Sequence, residues 1–220
     1  ALPTFTIGRC PNPVPPASSD LWNKMRSTFN DPFVLASGSG APNEPSIVYG
    51  CFSENHVHFK IVTEDSNPNS TFTQCNQPLY KYVRPEQSIA RGSIYPLATM
   101  LTCLMRRMDA MEAFLGFFSF DDEYDLHHYL ELEVSPLGVL FYAKIENPNL
   151  NCSNIAGNLQ QCAGSALTWM AGTSGPTSWS YLQVPFSALG ASGGASMLAS
   201  KPYKWRGNFF RIDLQTDGRQ

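Results

Sequence analysis

Aromatic residues and charged or amide residues occur together in the C-terminal part of the sequence. A sugar ring is bound by aromatic faces that stack on its C–H faces and by polar groups that bond its hydroxyls. The aromatic candidates are Trp169, Trp179, Tyr181, Tyr203 and Trp205. The polar candidates are Glu112, Arg206, Asn208 and Arg211. Two alternatives stay open: the aromatic residues fill a core, and Glu112 forms a buried salt bridge with an arginine.

Acidic residues and histidines form two further groups. The acidic run that contains Asp121, Asp122 and Asp125 could gather oxygen ligands around structural calcium, but a solvated turn is the preferred interpretation. His56 and His58 would share one strand face, and we expect both to be surface histidines. The seven methionines and four histidines would allow a methionine–histidine pair that binds haem, but no sequence feature identifies which two residues would form it. No cofactor is therefore expected, apart from a possible structural calcium ion.

Specific catalytic motifs are not evident in the sequence. It contains no H-E-x-x-H and no phosphate loop, and its one G-x-S-x-G match, at residues 190–194, falls in a loop rich in glycine, alanine and serine. Glu131 and Glu133 would lie on one strand face with about 7 Å between their Cα atoms, which crudely fits the paired carboxylates of a glycosidase. A polar outer face explains the two glutamates equally well. We therefore predict a protein without catalytic activity.

Composition favours a β-rich domain. Of the 220 residues, 43% are hydrophobic, 12% are aromatic and only 15% are charged, and there are 17 prolines and 16 glycines. Such a composition is typical of short strands joined by turns. The net charge of −3 provides no basic surface for nucleic acid. A basic amphipathic stretch for a membrane surface is also missing, so neither nucleic acid nor membrane insertion is expected.

The cysteines indicate an oxidising compartment. Six cysteines without a C-x-x-C spacing favour three disulfides over a zinc site, and the six residues are Cys10, Cys51, Cys75, Cys103, Cys152 and Cys162. Fifteen pairings are possible, and we predict only Cys152–Cys162, because a short polar loop separates the two. Asn69 and Asn151 begin glycosylation sequons, and Ala1 resembles a mature terminus after signal cleavage. The sequence thus predicts a secreted extracellular glycoprotein.

A hairpin at residues 129–145 would lie at the centre of the fold. Leu130, Leu132 and Val134 alternate with Tyr129, Glu131 and Glu133, which predicts a strand with one dry face and one wet face. Pro136 and Gly138 suit the turn that would lead into a second strand. The hairpin would carry its two glutamates on the wet face.

Other short strands are predicted at residues 46–50, 56–63, 111–119, 169–172, 178–184 and 205–214. Residues 1–45 would form a proline-rich arm and loop with one or two helical turns from Asp20, and residues 146–164 another loop. A helical turn is expected at 185–190. Together these features predict one domain, an antiparallel jelly-roll-like β-sandwich over residues 46–220 with the arm packed on it.

Several of these segments resemble the family 9 carbohydrate-binding modules. The similar stretches are the Y-x-E-x-E-V-x-P-x-G hairpin at 129–138, the W…V-P-F-S-x-L stretch at 179–189, the W-R-x-N-F-x-R-I strand at 205–212, and the weaker segments 57–59 and 111–115. The resemblance covers about residues 46–214. It implies a lectin-like sandwich that binds a wall or matrix glycan without cleaving it. Glu112, Trp205, Asn208 and Arg211 match the motif positions of the family, whereas Arg106 stands where such binders can place a stacking tryptophan.

Two other functions remain open. The first is a structural or assembly protein that keeps the sandwich and pairs with its own copies through a sheet edge. The second is a haem-binding sandwich. Each would use the same fold with a different partner.

Overall fold

The computed structural model describes residues 7–25, 46–64, 74–76, 113–119, 128–135, 137–146, 156–189 and 206–212. These residues contain ten strands and two short 3₁₀ helices, arranged in two sheets of five strands each. The predicted all-β sandwich is confirmed. Within the same ranges, no helix has the length and hydrophobicity that a membrane crossing requires.

The first sheet has the spatial order β1-β2-β3-β9-β8. Its strands are Gly8–Arg9 (β1), Ser46–Phe52 (β2), His56–Glu64 (β3), Thr168–Ser174 (β8) and Thr177–Pro185 (β9). The short β1 pairs parallel to β2, and every other pairing in this sheet is antiparallel. The predicted β2–β3 and β8–β9 hairpins are therefore confirmed.

The second sheet has the order β10-β4-β5-β6-β7, and all of its pairings are antiparallel. Its strands are Ala113–Ser119 (β4), His128–Val134 (β5), Leu140–Glu146 (β6), Ala156–Leu159 (β7) and Arg206–Ile212 (β10). The β5–β6 hairpin is closed by Ser135, whose N–H donates to the Val139 carbonyl at 2.9 Å. Gly138 adopts the positive φ of 77° that the turn requires.

The core lies between the inner faces of the two sheets. It includes Val48, Val57, Phe59, Ile61, Leu182 and Val184 from the first sheet and Leu130, Leu132, Val134, Leu140 and Tyr142 from the second. The face of β5 that was predicted to be dry is thus the core face. Period-two alternation places these side chains on one side of each strand, where burial of apolar surface stabilises the sandwich.

The other face of β5 differs from the prediction. Glu133 is completely buried, and its cross-strand partner Phe141 and the nearby Ala143 are also buried. The prediction of a wet face is therefore wrong at Glu133. Alternation separates the two faces of a strand correctly, but it does not show whether the polar face is covered.

The N-terminal arm packs on the outer face of the first sheet. A disulfide joins Cys10 to Cys51 on β2, and the Cys10 N–H donates to the Phe52 carbonyl at 2.8 Å. A 3₁₀ helix follows at Asp20–Lys24, capped by the Ser19 side chain rather than by Asp20 as predicted. Its Trp22 is fully buried, and its ring packs edge-on against Tyr181 at 5.8 Å between centroids.

The second disulfide corrects the predicted pairing. Cys162 is bonded to Cys75, so the prediction of a Cys152–Cys162 bond is wrong. Cys75 is distant in sequence, and local loop length therefore gave no indication of this partner. The remaining two cysteines, Cys103 and Cys152, lie outside the described residues, and so do the sequons at Asn69 and Asn151.

Candidate functional site

Trp169 and Trp179 lie on neighbouring strands but on opposite faces of the first sheet. Trp169 is paired in register with Leu182, whose side chain is in the core. Trp179 is paired with Gly172 on the outer face. Cross-strand partners share a face, so these two tryptophans cannot enclose one sugar ring.

Trp169 ties the two sheets together. Its indole packs against the core, and its Nε1–H donates to the Gly138 carbonyl at 3.1 Å. Gly138 belongs to the β5–β6 turn of the second sheet, whereas Trp169 belongs to β8 of the first. The residue is thus a packing residue that holds the hairpin turn against the opposite sheet.

The predicted residues of β10 are located on the second sheet. Arg206 and Asn208 are in register with Ser119 and Phe117 of β4. Arg211 is in register with Phe114, which is itself paired with the core residue Val134. Because Trp179 projects from the outer face of the first sheet, the structure does not bring it together with β10. Six further candidates lie outside the described residues: Glu112, Asp121, Asp122, Asp125, Tyr203 and Trp205.

The indole of Trp179 forms a small platform on the outer face of the first sheet. A Cβ at Gly172 would lie 2.6 Å from Cζ2 of the indole, so the ring rests directly on the glycine backbone. The Lys60 ammonium lies 5.4 Å from the ring centroid. Trp179 is partly buried, because it also packs against the outer-face cluster that contains Trp22 and Tyr181. The part of the ring that stays exposed is the part that could stack on a ligand.

Polar and apolar rows flank this platform. On one side the register places Glu64 opposite Thr177 and Thr177 opposite Ser174. Glu64 and Ser174 are exposed, and the Thr177 hydroxyl donates to the Ser174 carbonyl at 2.7 Å. On the other side Met170 is 49% exposed. The platform therefore combines a ring face with a carboxylate and hydroxyls at its border.

Lys60 joins the platform to the N-terminal arm. Its side chain is buried, and its Nζ donates to the Ser19 carbonyl at 3.4 Å while it also lies near the indole of Trp179. Burial lowers the pKa of Lys60, and the nearby charge of Asp20 acts in the opposite direction. The ammonium thus contributes a positive field at the ring rather than an exposed ligand contact.

His58 belongs to a buried hydrogen-bond network beside this platform. Its two ring nitrogens lie 2.8 Å from the Tyr181 hydroxyl and 2.8 Å from the Ser53 hydroxyl. The prediction of a surface histidine is wrong for His58, which is 2% exposed. Burial, and secondly the charge of His56, lower the pKa of His58 to about 4. Burial also raises the pKa of Tyr181 to about 12.

Metal ligands do not cluster in the described part of the chain. No group of three or more histidine, cysteine, aspartate or glutamate side chains there could hold an ion. The acidic residues proposed for calcium lie outside those ranges, so a calcium site stays a prediction. Self-assembly through a sheet edge and haem binding also stay predictions.

Sequence reasoning missed two parts of the platform, Gly172 and Lys60. A two-residue turn at Gly175 and Pro176 fixes the β8–β9 register, because Ser174 then pairs with Thr177. Counting outward from this turn places residue 172 opposite residue 179. The pairing of Gly172 with Trp179 could therefore have been deduced from the predicted hairpin.

Comparisons with known proteins show similarity in structure only. No protein-family model matches the sequence, and neither does any curated protein. A family 9 carbohydrate-binding module from Caldicellulosiruptor kristjanssonii, solved in complex with glucose, superposes with a TM-score of 0.52 over 98% of this chain and 81% of the module, at 10% identity. The chain shares that fold. The resemblance predicted from the hairpin and closing-strand motifs is thus confirmed at the level of architecture.

Two further solved structures are more distantly similar. A family 9 module from the same organism in complex with cellotriose gives a TM-score of 0.45 at 11% identity, over 86% of this chain and 67% of the module. A candidate carbohydrate-binding protein from Bacteroides uniformis gives 0.47 at 11% identity, over 78% of this chain. The chain spans 64% of the length of that protein.

Proposed function

We propose that this chain is a non-catalytic carbohydrate-binding protein that takes a sugar ring on the Trp179 platform. The observation that carries the proposal is the close seating of the indole on Gly172, which leaves the ring on the outer face of the first sheet. Stacking against the C–H face of a pyranose would remove apolar surface from water on both partners. The architecture shared with a glucose-binding module supports the same class of ligand.

The border of the platform suits the hydroxyls of a sugar. The Glu64 carboxylate would accept hydrogen bonds from two neighbouring hydroxyls, and Ser174 could donate or accept. Both residues are exposed on the row next to Trp179. A platform with an open border fits a glycan of a cell wall or matrix, whose chain continues beyond one ring.

Hydrolysis of the glycan by the glutamate pair of β5 is not part of this proposal. Glu133 is completely buried, so its carboxylate cannot reach a polysaccharide. A retaining or inverting glycosidase needs both carboxyl groups beside the scissile bond. Binding without cleavage is therefore the function we assign.

We also propose that the protein works outside the cytosol. The Cys10–Cys51 disulfide holds the arm to β2, and the Cys75–Cys162 disulfide joins the segment 74–76 to the segment after β7. Structural disulfides persist in secreted and extracellular proteins and are rare where thiols are kept reduced. Fractionation of cells that express the full-length gene product would test this location.

The direct test is a glycan array followed by affinity electrophoresis and calorimetry, with glucose and cellotriose as the first defined probes. We expect the wild-type protein to bind at least one glycan class. We expect Trp179→Ala to weaken that binding roughly tenfold or more, because it removes the stacking surface. Trp179→Phe keeps a smaller ring and should give an intermediate affinity.

Leu137→Ala is the matched control for the loss of an exposed apolar side chain. Leu137 is 62% exposed on the β5–β6 turn and is not part of the platform. Its substitution should leave binding unchanged. Failure of the wild-type protein to bind any glycan would contradict the proposed function, whereas equal binding by wild type and Trp179→Ala would contradict the platform alone.

A further inference from the structure

A concave site separate from the platform lies at the opposite end of β9 from Trp179. It is an open cavity of about 550 Å³ between β6, the segment that follows β7, and the end of β9. Pro185 contributes to its wall and lies six residues from Trp179 on the same strand, which corresponds to roughly 20 Å. The volume is within the range of about 300–1,000 Å³ that small-molecule sites occupy.

Within the part of the chain that the structure describes, the lining of this cavity is polar but uncharged. Its polar side chains are Tyr142, Gln160, Gln161, Ser165 and Ser187, and small or aliphatic residues complete the wall. Burial raises the pKa of Tyr142, so its phenol stays neutral at physiological pH. A lining of this kind offers no counter-charge for a phosphate or carboxylate, and it matches a neutral ligand that both donates and accepts hydrogen bonds.

The wall beside β6 is held in place by Asn76. The Oδ1 of Asn76 accepts from the Tyr142 N–H at 2.8 Å, and its Nδ2 donates to the Gln160 carbonyl at 2.5 Å. The adjacent disulfide, Cys75–Cys162, joins the same two segments. A cavity with a fixed wall loses little conformational entropy when a ligand binds.

Ser165 provides an independent indication of a ligand. Its Oγ is buried, and among the described residues it has no hydrogen-bond partner. Buried hydroxyls in proteins are nearly always bonded, and an unbonded one lowers stability. Ser165 lines the cavity, so rotation about its single side-chain bond would let a bound hydroxyl satisfy it.

We propose that this cavity binds a neutral polyhydroxyl ligand, namely one or two terminal rings of a saccharide, as a second site separate from the Trp179 platform. The choice of a saccharide among neutral polyhydroxyl compounds rests on the proposed function. The cavity itself shares no residue with the platform. Two sites on one module would bind one glycan chain, or two chains, with higher effective affinity than either site alone.

The test is a titration of isotope-labelled protein with glucose and cellotriose, followed through the backbone amide signals by NMR. In the wild type and in Trp179→Ala, the signals of residues 160–167 should move on addition of saccharide. Ala166→Trp fills the cavity from an exposed wall position, so it should abolish those shifts and leave the shifts around Trp179 in place.

Ser165→Ala removes the hydroxyl without leaving a former partner unbonded. We expect it to weaken saccharide binding in the cavity about three- to tenfold and to leave the thermal midpoint unchanged or higher. A purely structural role for Ser165 would instead lower the midpoint and leave the affinity unchanged. Glycerol serves as the small-polyol control and should move these signals only at far higher concentration.

Two results would overturn the second site. The first is the absence of shifts at residues 160–167 when the signals around Trp179 are saturated, a result that leaves the platform intact. The second is an equal response to glycerol and saccharide, which would mean adventitious polyol binding. Shifts in the cavity without shifts around Trp179 would support this site and contradict the platform.

Discussion

Trp179 and Gly172 are cross-strand partners whose contact leaves no room for a side chain on the glycine. A Cβ at residue 172 would lie 2.6 Å from Cζ2 and 2.9 Å from Cε2 of the indole. Real Cβ atoms do not approach carbon atoms so closely, so any larger residue must displace the ring. The orientation of the platform therefore depends on a residue that has no side chain.

Gly172→Ala should destabilise the protein and weaken glycan binding together. The added methyl group forces the indole away from its position, at a cost of about 1–3 kcal/mol in the free energy of unfolding. Urea unfolding and calorimetry would measure the two effects. Gly8→Ala is the matched control, because nothing lies within 4 Å of the Cβ it would add. Unchanged glycan binding by Gly172→Ala would show that the position of the Trp179 ring does not determine the affinity.

Trp169→Phe should affect stability without affecting glycan binding. The substitution removes the Nε1–H that donates to the Gly138 carbonyl at 3.1 Å, and we expect a loss of about 0.5–1.5 kcal/mol. Trp169→Ala also leaves a cavity and should cost about 3–5 kcal/mol. Thermal unfolding measures the loss. Reduced glycan affinity in a fully folded Trp169→Phe protein would argue against a purely structural role.

Acid should destabilise the fold through His58. Its pKa is about 4 in the folded protein and near 6.5 when unfolded, so the unfolded chain binds more protons between these values. Stability should therefore fall as the pH drops from about 6.5 toward 4, by on the order of 1–3 kcal/mol. Urea midpoints measured across this range would show the slope. His58→Gln should flatten it, and an unchanged slope would assign the effect to other groups.

Loss of the Cys10–Cys51 disulfide should destabilise the protein by freeing the arm in the unfolded chain. The two cysteines are 41 residues apart, and a loop of that length corresponds to about 4 kcal/mol in the chain-entropy description. A Cys10→Ala, Cys51→Ala double variant should show this loss in urea unfolding. Exposure of Trp22 should also change the tryptophan fluorescence, to which it contributes as one of four tryptophans. Full retention of stability would mean that packing alone holds the arm.

Much of the sandwich was predictable because its strands have a clear period of two. The β5–β6 hairpin showed it most clearly, since apolar and polar residues alternate along β5 before a turn in which Gly138 adopts a positive φ. The prediction missed β7, whose residues Ala156–Leu159 have low strand propensity. Pairing with β6 holds this segment in a strand. Because the stabilising contacts come from another strand, the sequence of β7 itself shows no strand pattern.

The candidate site was less predictable than the fold. Residue type selected Trp179 and Trp169 alike, whereas the register places Trp179 on the outer face and Trp169 in the interior. Ligand binding by Trp179 stays a prediction. Whether an aromatic side chain supports a ligand or fills a core depends on pairing across strands. Similarly, Glu133 is buried because other parts of the chain cover that face of the sheet. The alternating sequence of β5 does not show this covering.

The ammonium of Lys60 lies between the arm and the platform, and this position makes its chemical reactivity informative. The residue is 5% exposed, whereas Lys24 and Lys144 are open to solvent. Amine-reactive reagents should therefore label the two exposed lysines quickly and reach Lys60 only after the 3₁₀ helix lifts from the sheet. The extent of labelling at this one lysine, read by mass spectrometry, would act as a gauge of how often the arm detaches.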